Sequence, residues 1–200
     1  MAKRETCDFK IEAGSELVLC ALDKNHKGDH SPFKPAERIE EYHVTVEDIN
    51  PIDWFNFCHD LDVKPLHIEL NNMNLQLMCA LGEDPEVLIE KLGADYKDAR
   101  VVRVKHEVNI MTAEERPVYY ECHVKLEGPM LGNIPMSSRD LYRGNRWYLT
   151  KRSVSPFSAE DFYRGVIRRM ENRSNQKVLG FEYEVCVQDT NPSIDAGWAR

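Results

Sequence analysis

Within the first thirty residues, Cys7, Cys20, His26 and His30 set two thiols and two imidazoles at the spacing Cys-x12-Cys-x5-His-x3-His. Thiolate sulfur and imidazole nitrogen are the donors that structural zinc takes in tetrahedral array, and a segment without a sustained apolar period needs such a metal to fold. Gly28, between the two histidines, permits a tight turn that brings both rings toward one point. The set predicts a structural zinc site, because four protein ligands leave no open position for a substrate. DNA-reading fingers space their cysteines only about two to four residues apart, so this module is not one of them.

A second group of chemically capable residues lies on alternating segments. Successive side chains of a strand point to opposite faces. His43 and Thr45 therefore oppose Tyr42, Val44 and Val46, while Glu121, His123 and Lys125 oppose Tyr120, Cys122, Val124 and Leu126. Arg103, Lys105 and Glu107 likewise oppose Val102, Val104, His106 and Val108, and His67 with Glu69 opposes Leu66, Ile68 and Leu70. The pattern predicts one polar face that collects imidazoles, cations and carboxylates, with His106 left on the apolar side as a core or edge residue. In RGNRWYLTKR, Arg146, Thr150 and Arg152 are phosphate-competent side chains that share a face with Tyr148, a pattern that a charged surface strand would also show.

The elements that must position these groups follow from periodicity and caps. YHVTVED alternates, and Asn50, Pro51 and Asp53 then open a helix of about ten residues by capping its first turn. PLHIELNN and NLQLMCAL form a hairpin, Asp84 and Pro85 open a second helix, and ARVVRVKHEVNI completes the order βαββαβ. VYYECHVKLE, a long polar connection, RWYLTKRS, a helix capped by Ser158 and Asp161, and KVLGFEYEVCVQD read as ββαβ. The expectation is an α+β protein of two adjacent ferredoxin-like halves, about 42–111 and 118–200, whose sheets carry helices on one side and leave the other face open. A zinc knuckle over 1–34 precedes this 42–200 domain, with the HSPFKP segment as the boundary.

Composition narrows the function classes. With 42% apolar and 30% charged residues the chain reads as a globular protein without a membrane span. No apolar run follows the basic start, so a cytoplasmic location is expected, with six cysteines serving as thiols and metal ligands. A net charge of −8 argues against a surface that neutralises phosphates throughout, yet 139–177 holds ten basic residues against four acidic ones. That segment reads as a salt-bridged surface or an anion-binding patch. In the terminal block, Asp189 and Asp195 offer carboxylates, and Trp198 is suited to latch the tail onto the body.

Three resemblances add to this reading. His43-Val-Thr45-Val and His123-Val-Lys125-Leu are similar to the twin H-x-T/S-x signatures of the two-histidine (2H) phosphoesterases, with Lys125 where that family has a hydroxyl. The similarity implies two related lobes, His43 and His123 as a metal-independent acid and base, and Thr45 and Lys125 beside the phosphate. The knuckle resembles the N-terminal Cys…Cys…GHxGxH run of uncharacterised actinobacterial and phage proteins, with Asn25 in place of the first glycine. PLHIEL, YECHVKLE, RWYLTKR and DTNPSIDAGW look like blocks of an uncharacterised bacterial and phage family, which implies a shared fold from about Tyr42 onward. The leading expectation is a phosphoesterase or a domain that binds a nucleotide or other phosphate ligand. The alternatives are a nucleic-acid-binding module that uses the knuckle with 139–177, and a phage-type module that contacts a host protein.

Overall fold

The structure is a computed structural model that describes residues 10–13, 16–19, 38–70, 74–112, 114–129, 134, 136–170 and 175–195. The chain divides into two compact units, Met1–Arg38 and Ile39–Arg200. In the first unit, strands β1 (Lys10–Ala13) and β2 (Glu16–Leu19) pair as an antiparallel hairpin. Cys7, Cys20, His26 and His30, the predicted zinc ligands, lie outside the described residues, as does Trp198.

The second unit is built on eight strands: β3 (Glu40–Glu47), β4 (Lys64–Leu70), β5 (Leu75–Leu81), β6 (Arg100–Val108), β7 (Tyr119–Glu127), β8 (Ser137–Asp140), β9 (Arg146–Ser153) and β10 (Lys177–Asp189). They pair antiparallel throughout in the order β10-β6-β3-β5-β4-β8-β9-β7, and β7 returns to β10 to close a barrel. The expected two ferredoxin-like halves with an open face are therefore incorrect. Two pairings overturn them: β10 with β6, and β4 with β8, each of which joins the first half of the chain to the second. Strand β8 is the element that the sequence reading passes over as a polar connection. Its residues Ser137, Ser138 and Asp140 are buried polar groups, so SSRD carries no apolar alternation to announce a strand. Without it β4 would be an edge; with it the edge is paired, as closure requires.

Bulges help the sheet to curve. One falls between Val178 and Gly180 of β10, where Gly180 takes φ +151, a conformation that L side chains rarely adopt. Another falls between Cys186 and Gln188 of the same strand.

Three helices cover the outside of the wall. Helix α1 (Pro51–Asp60) begins at Asn50, whose side chain accepts from the backbone N–H groups of Ile52 and Asp53 at 3.0 and 2.9 Å. It buries Trp54, Phe57 and Cys58 against Val44, Val46 and Cys79, and Leu88 and Leu92 of helix α2 (Glu86–Asp95) join the same cluster. Helix α3 (Ala159–Met170), whose Asp161 N–H is capped by Ser158 Oγ at 3.1 Å, packs Val166 and Met170 on Cys122, Val124, Leu126, Trp147 and Leu149. Both main apolar cores therefore lie between the barrel and its helices. The alternate residues of the same strands point into the lumen.

Candidate functional site

Closure turns the predicted polar face inward. The lumen is a cavity open at one end, and Glu41, His43, Arg103, Lys105, Glu121, His123, Lys125, Tyr148, Thr150, Arg152, Glu182 and Glu184 line it. One correction applies to the β4–β5 hairpin. There Leu66, Ile68, Leu70 and Met78 face the cavity, and His67 with Glu69 faces outward, where His67 packs on the Tyr142 ring and Glu69 pairs with Arg139. His106, assigned to the apolar side, stacks on Tyr42 with ring centroids 4.2 Å apart and contacts Glu40 at 3.0 Å.

The end of the barrel where β7 finishes and β10 begins is the mouth, where Lys125 pairs with the half-exposed Glu182. The opposite end is closed by a buried network. Asp189 accepts from Arg103 Nε at 3.0 Å and Nη2 at 2.6 Å, and from Tyr119 Oη at 2.5 Å. Arg103 Nη2 also donates to Tyr119 Oη at 3.0 Å. Thr190 continues the closure by exchanging hydrogen bonds with the backbone of Val104. Asp189 is thus the floor of the barrel: burial opposes its charge, yet the hydrogen bonds from Arg103 and Tyr119 hold its carboxyl below the usual range.

Between mouth and floor lies an ion cluster. Lys105 Nζ stands 2.8 Å from Glu107 Oε2 and 3.0 Å from Glu121 Oε2, and all three side chains are almost wholly buried. Arg152 Nε donates to Glu121 Oε1 at 2.5 Å while its guanidinium lies 4.2 Å from the centre of the Tyr119 ring. Burial works against charge on Lys105 and on Glu121, but their mutual attraction prevails: the ammonium is held above its ordinary range and the Glu121 carboxyl well below its own. Neither carboxylate oxygen of Glu107 makes an aligned hydrogen bond among the described residues, and the same holds for Thr45 Oγ1.

The two strand histidines reach this cluster from different sides of the wall. His43 Nε2 lies 2.6 Å from Glu41 and 3.7 Å from Glu107. His123 Nδ1 lies 2.7 Å from Thr150 Oγ1, with Nε2 3.4 Å from Glu121 and 3.6 Å from Glu184. The His43 contact lowers the Glu41 carboxyl to about 2. Burial disfavours charge on His123, but the hydrogen bond and charge of Glu121 raise it overall. Burial together with Glu107 pushes Glu184 up to about 7. Glu121 and Glu184 thus flank one imidazole with opposite tendencies, the first ionised and the second able to hold a proton near neutrality.

Of the residues singled out from sequence, His43, His123, Lys125 and Arg152 come together in the lumen. Thr45 is buried at the level of Arg103 and does not line the cavity, and Arg146 is exposed at the start of β9, beyond the lining. Sequence places Lys105, Glu107 and Tyr148 on polar faces without giving them a role, and it gives Glu184 neither. Their alternation marks them as one-faced, and only the closed topology shows what they face. The basic residues of 139–177 scatter: Arg139, Arg143 and Arg164 pair with Glu69, Asp140 and Glu160, Lys151 covers the Phe157 ring, and Arg152 enters the lumen.

One oxygen each from Glu107 and Glu121 and a ring nitrogen of His123 lie within 4.8 Å of one another, close enough to share a cation. The Lys105 ammonium already supplies positive charge there. No helix among the described residues is long and apolar enough to cross a membrane. Comparison of the chain with protein-family models, with curated proteins and with solved structures finds no match in any of the three.

Proposed function

We propose that the barrel lumen binds a small phosphate-bearing ligand and that His43 and His123 act on it as a proton-accepting and proton-donating pair. The observation that carries this reading is their convergence: two histidines eighty residues apart project into one cavity beside Lys105, Lys125 and Arg152. These cations pair with Glu107, Glu121 and Glu182, and a phosphate entering from the mouth competes with those carboxylates for them.

Roles follow from the partners. Burial disfavours charge on His123, but Glu121 raises it overall, which favours the protonated ring as the group that donates to the leaving oxygen. His43 donates a hydrogen bond from its Nε2–H to the ionised Glu41, which leaves Nδ1 to accept a proton from the attacking water. Water then adds to phosphorus as the ester P–O bond breaks; the water proton goes to His43 and the leaving alcohol takes the proton of His123. The scheme needs no metal. A structural zinc held by Cys7, Cys20, His26 and His30 belongs to the same proposal, and elemental analysis should find one equivalent that a Cys20→Ser variant loses.

Hydrolysis of 4-nitrophenyl phosphate and of its bis-ester tests the reading. His43→Ala and His123→Ala should each lower the rate by about a hundredfold or more while the melting temperature stays within a few degrees. Turnover undiminished in both variants would refute the acid–base roles.

A further inference from the structure

Opposite the charged wall, the lumen carries an apolar one. Leu66, Met78 and Ala80 are buried, pack with Ile68, and form a cluster separate from both cores beneath the helices. They come from the β4–β5 hairpin, whose outward side supplies Leu77 and Cys79 to the α1 core. Strand β5 is thus apolar on both faces, whereas β6 and β7 keep their charged residues inside. A cavity meant for inorganic anions alone gains nothing from such a wall, since apolar surface left against water is unfavourable. Beside it, Gln76, Ser138 and Tyr148 line the same cavity and bring hydrogen-bond donors and acceptors to the edge of the apolar surface. A flat heterocycle has faces for the first and edges for the second. The closed floor at Asp189 stops a ligand from threading through the barrel.

We infer that the lumen's ligand is a mononucleotide, its base laid on the Leu66–Ile68–Met78 wall with Gln76 and Ser138 at its edge, and its phosphate directed to Lys105, Lys125 and Arg152. This rests on the phosphate-binding reading above and adds the ligand's organic half.

Isothermal titration of the full chain with AMP, cyclic AMP, adenosine, pyrophosphate and hexyl phosphate separates the two claims. A nucleotide should bind at least about tenfold more tightly than pyrophosphate, hexyl phosphate or adenosine. Met78→Gln and Ile68→Thr, each checked for an unchanged melting temperature, should remove most of that advantage and leave pyrophosphate affinity unaltered. Two variants are used so that misfolding of one leaves the other decisive. Pyrophosphate or hexyl phosphate binding as tightly as the nucleotides, or wall variants that weaken all phosphates equally, would overturn the nucleotide inference and leave the phosphate site standing. Failure of every phosphate-bearing probe to bind would instead overturn the proposed function and this inference with it.

Discussion

On the outer face of β7, Cys122, Val124 and Leu126 are buried under α3, while on the inner face of the same strand Glu121, His123 and Lys125 meet charged partners within the lumen. The outer face is held by apolar contact, which is tolerant of direction. The inner face is held by charge pairing, which is not. Cohesion of the wall is thus placed on the outside with the helices, and the interior is left to a set of groups whose ionisation states depend on one another. A buried ion cluster contributes little net stability when complete, but it is costly to break.

That contrast is broken most severely at Lys105. Lys105→Met would strand Glu107 and Glu121 in the lumen without their shared ammonium, and urea denaturation at pH 7 should show a loss of about 3–5 kcal/mol. A loss below about 1 kcal/mol would show that the cluster is wetter than its burial implies. The next effect concerns Glu184, whose carboxyl is raised from 4.5 to about 7. Its folded state favours the protonated form, so its contribution is fully present below pH 4.5 and is lost as pH rises through about 7, worth about 3 kcal/mol in all. Glu184→Gln should therefore match the wild type at pH 4.5 and exceed it in melting temperature at pH 8. Equal melting temperatures at both pH values would mean that Glu184 is ordinary. The smallest effect belongs to the outside: Asn50→Ala removes two hydrogen bonds at the start of α1 and should cost about 1 kcal/mol without altering ligand binding.

Period-two alternation in β3, β6 and β7 separates the apolar from the polar side chains by sequence alone, and Asn50 and Ser158 mark two helix starts. Alternation does not say whether a polar face meets solvent or a lumen, because both accept the same residues. The closing pairs β4–β8 and β6–β10 are long-range, and the first depends on SSRD, a strand stabilised by buried polar groups rather than apolar ones. The β4–β5 hairpin misleads for a related reason. Ile68 and Glu69 alternate as in any half-buried strand, yet the apolar member turns inward because the lumen has an apolar side. Glu184 offers a similar lesson, since what makes it unusual is burial in the closed lumen together with Glu107 on a neighbouring strand.

The central claim is that one ligand engages both histidines in one lumen, and imidazole nitrogen NMR during titration with a phosphate ester tests it most directly. The account predicts that His43 and His123 shift together with a single apparent Kd while the exposed His59 stays unmoved. Shifts confined to His59, or different Kd values at His43 and His123, would contradict it.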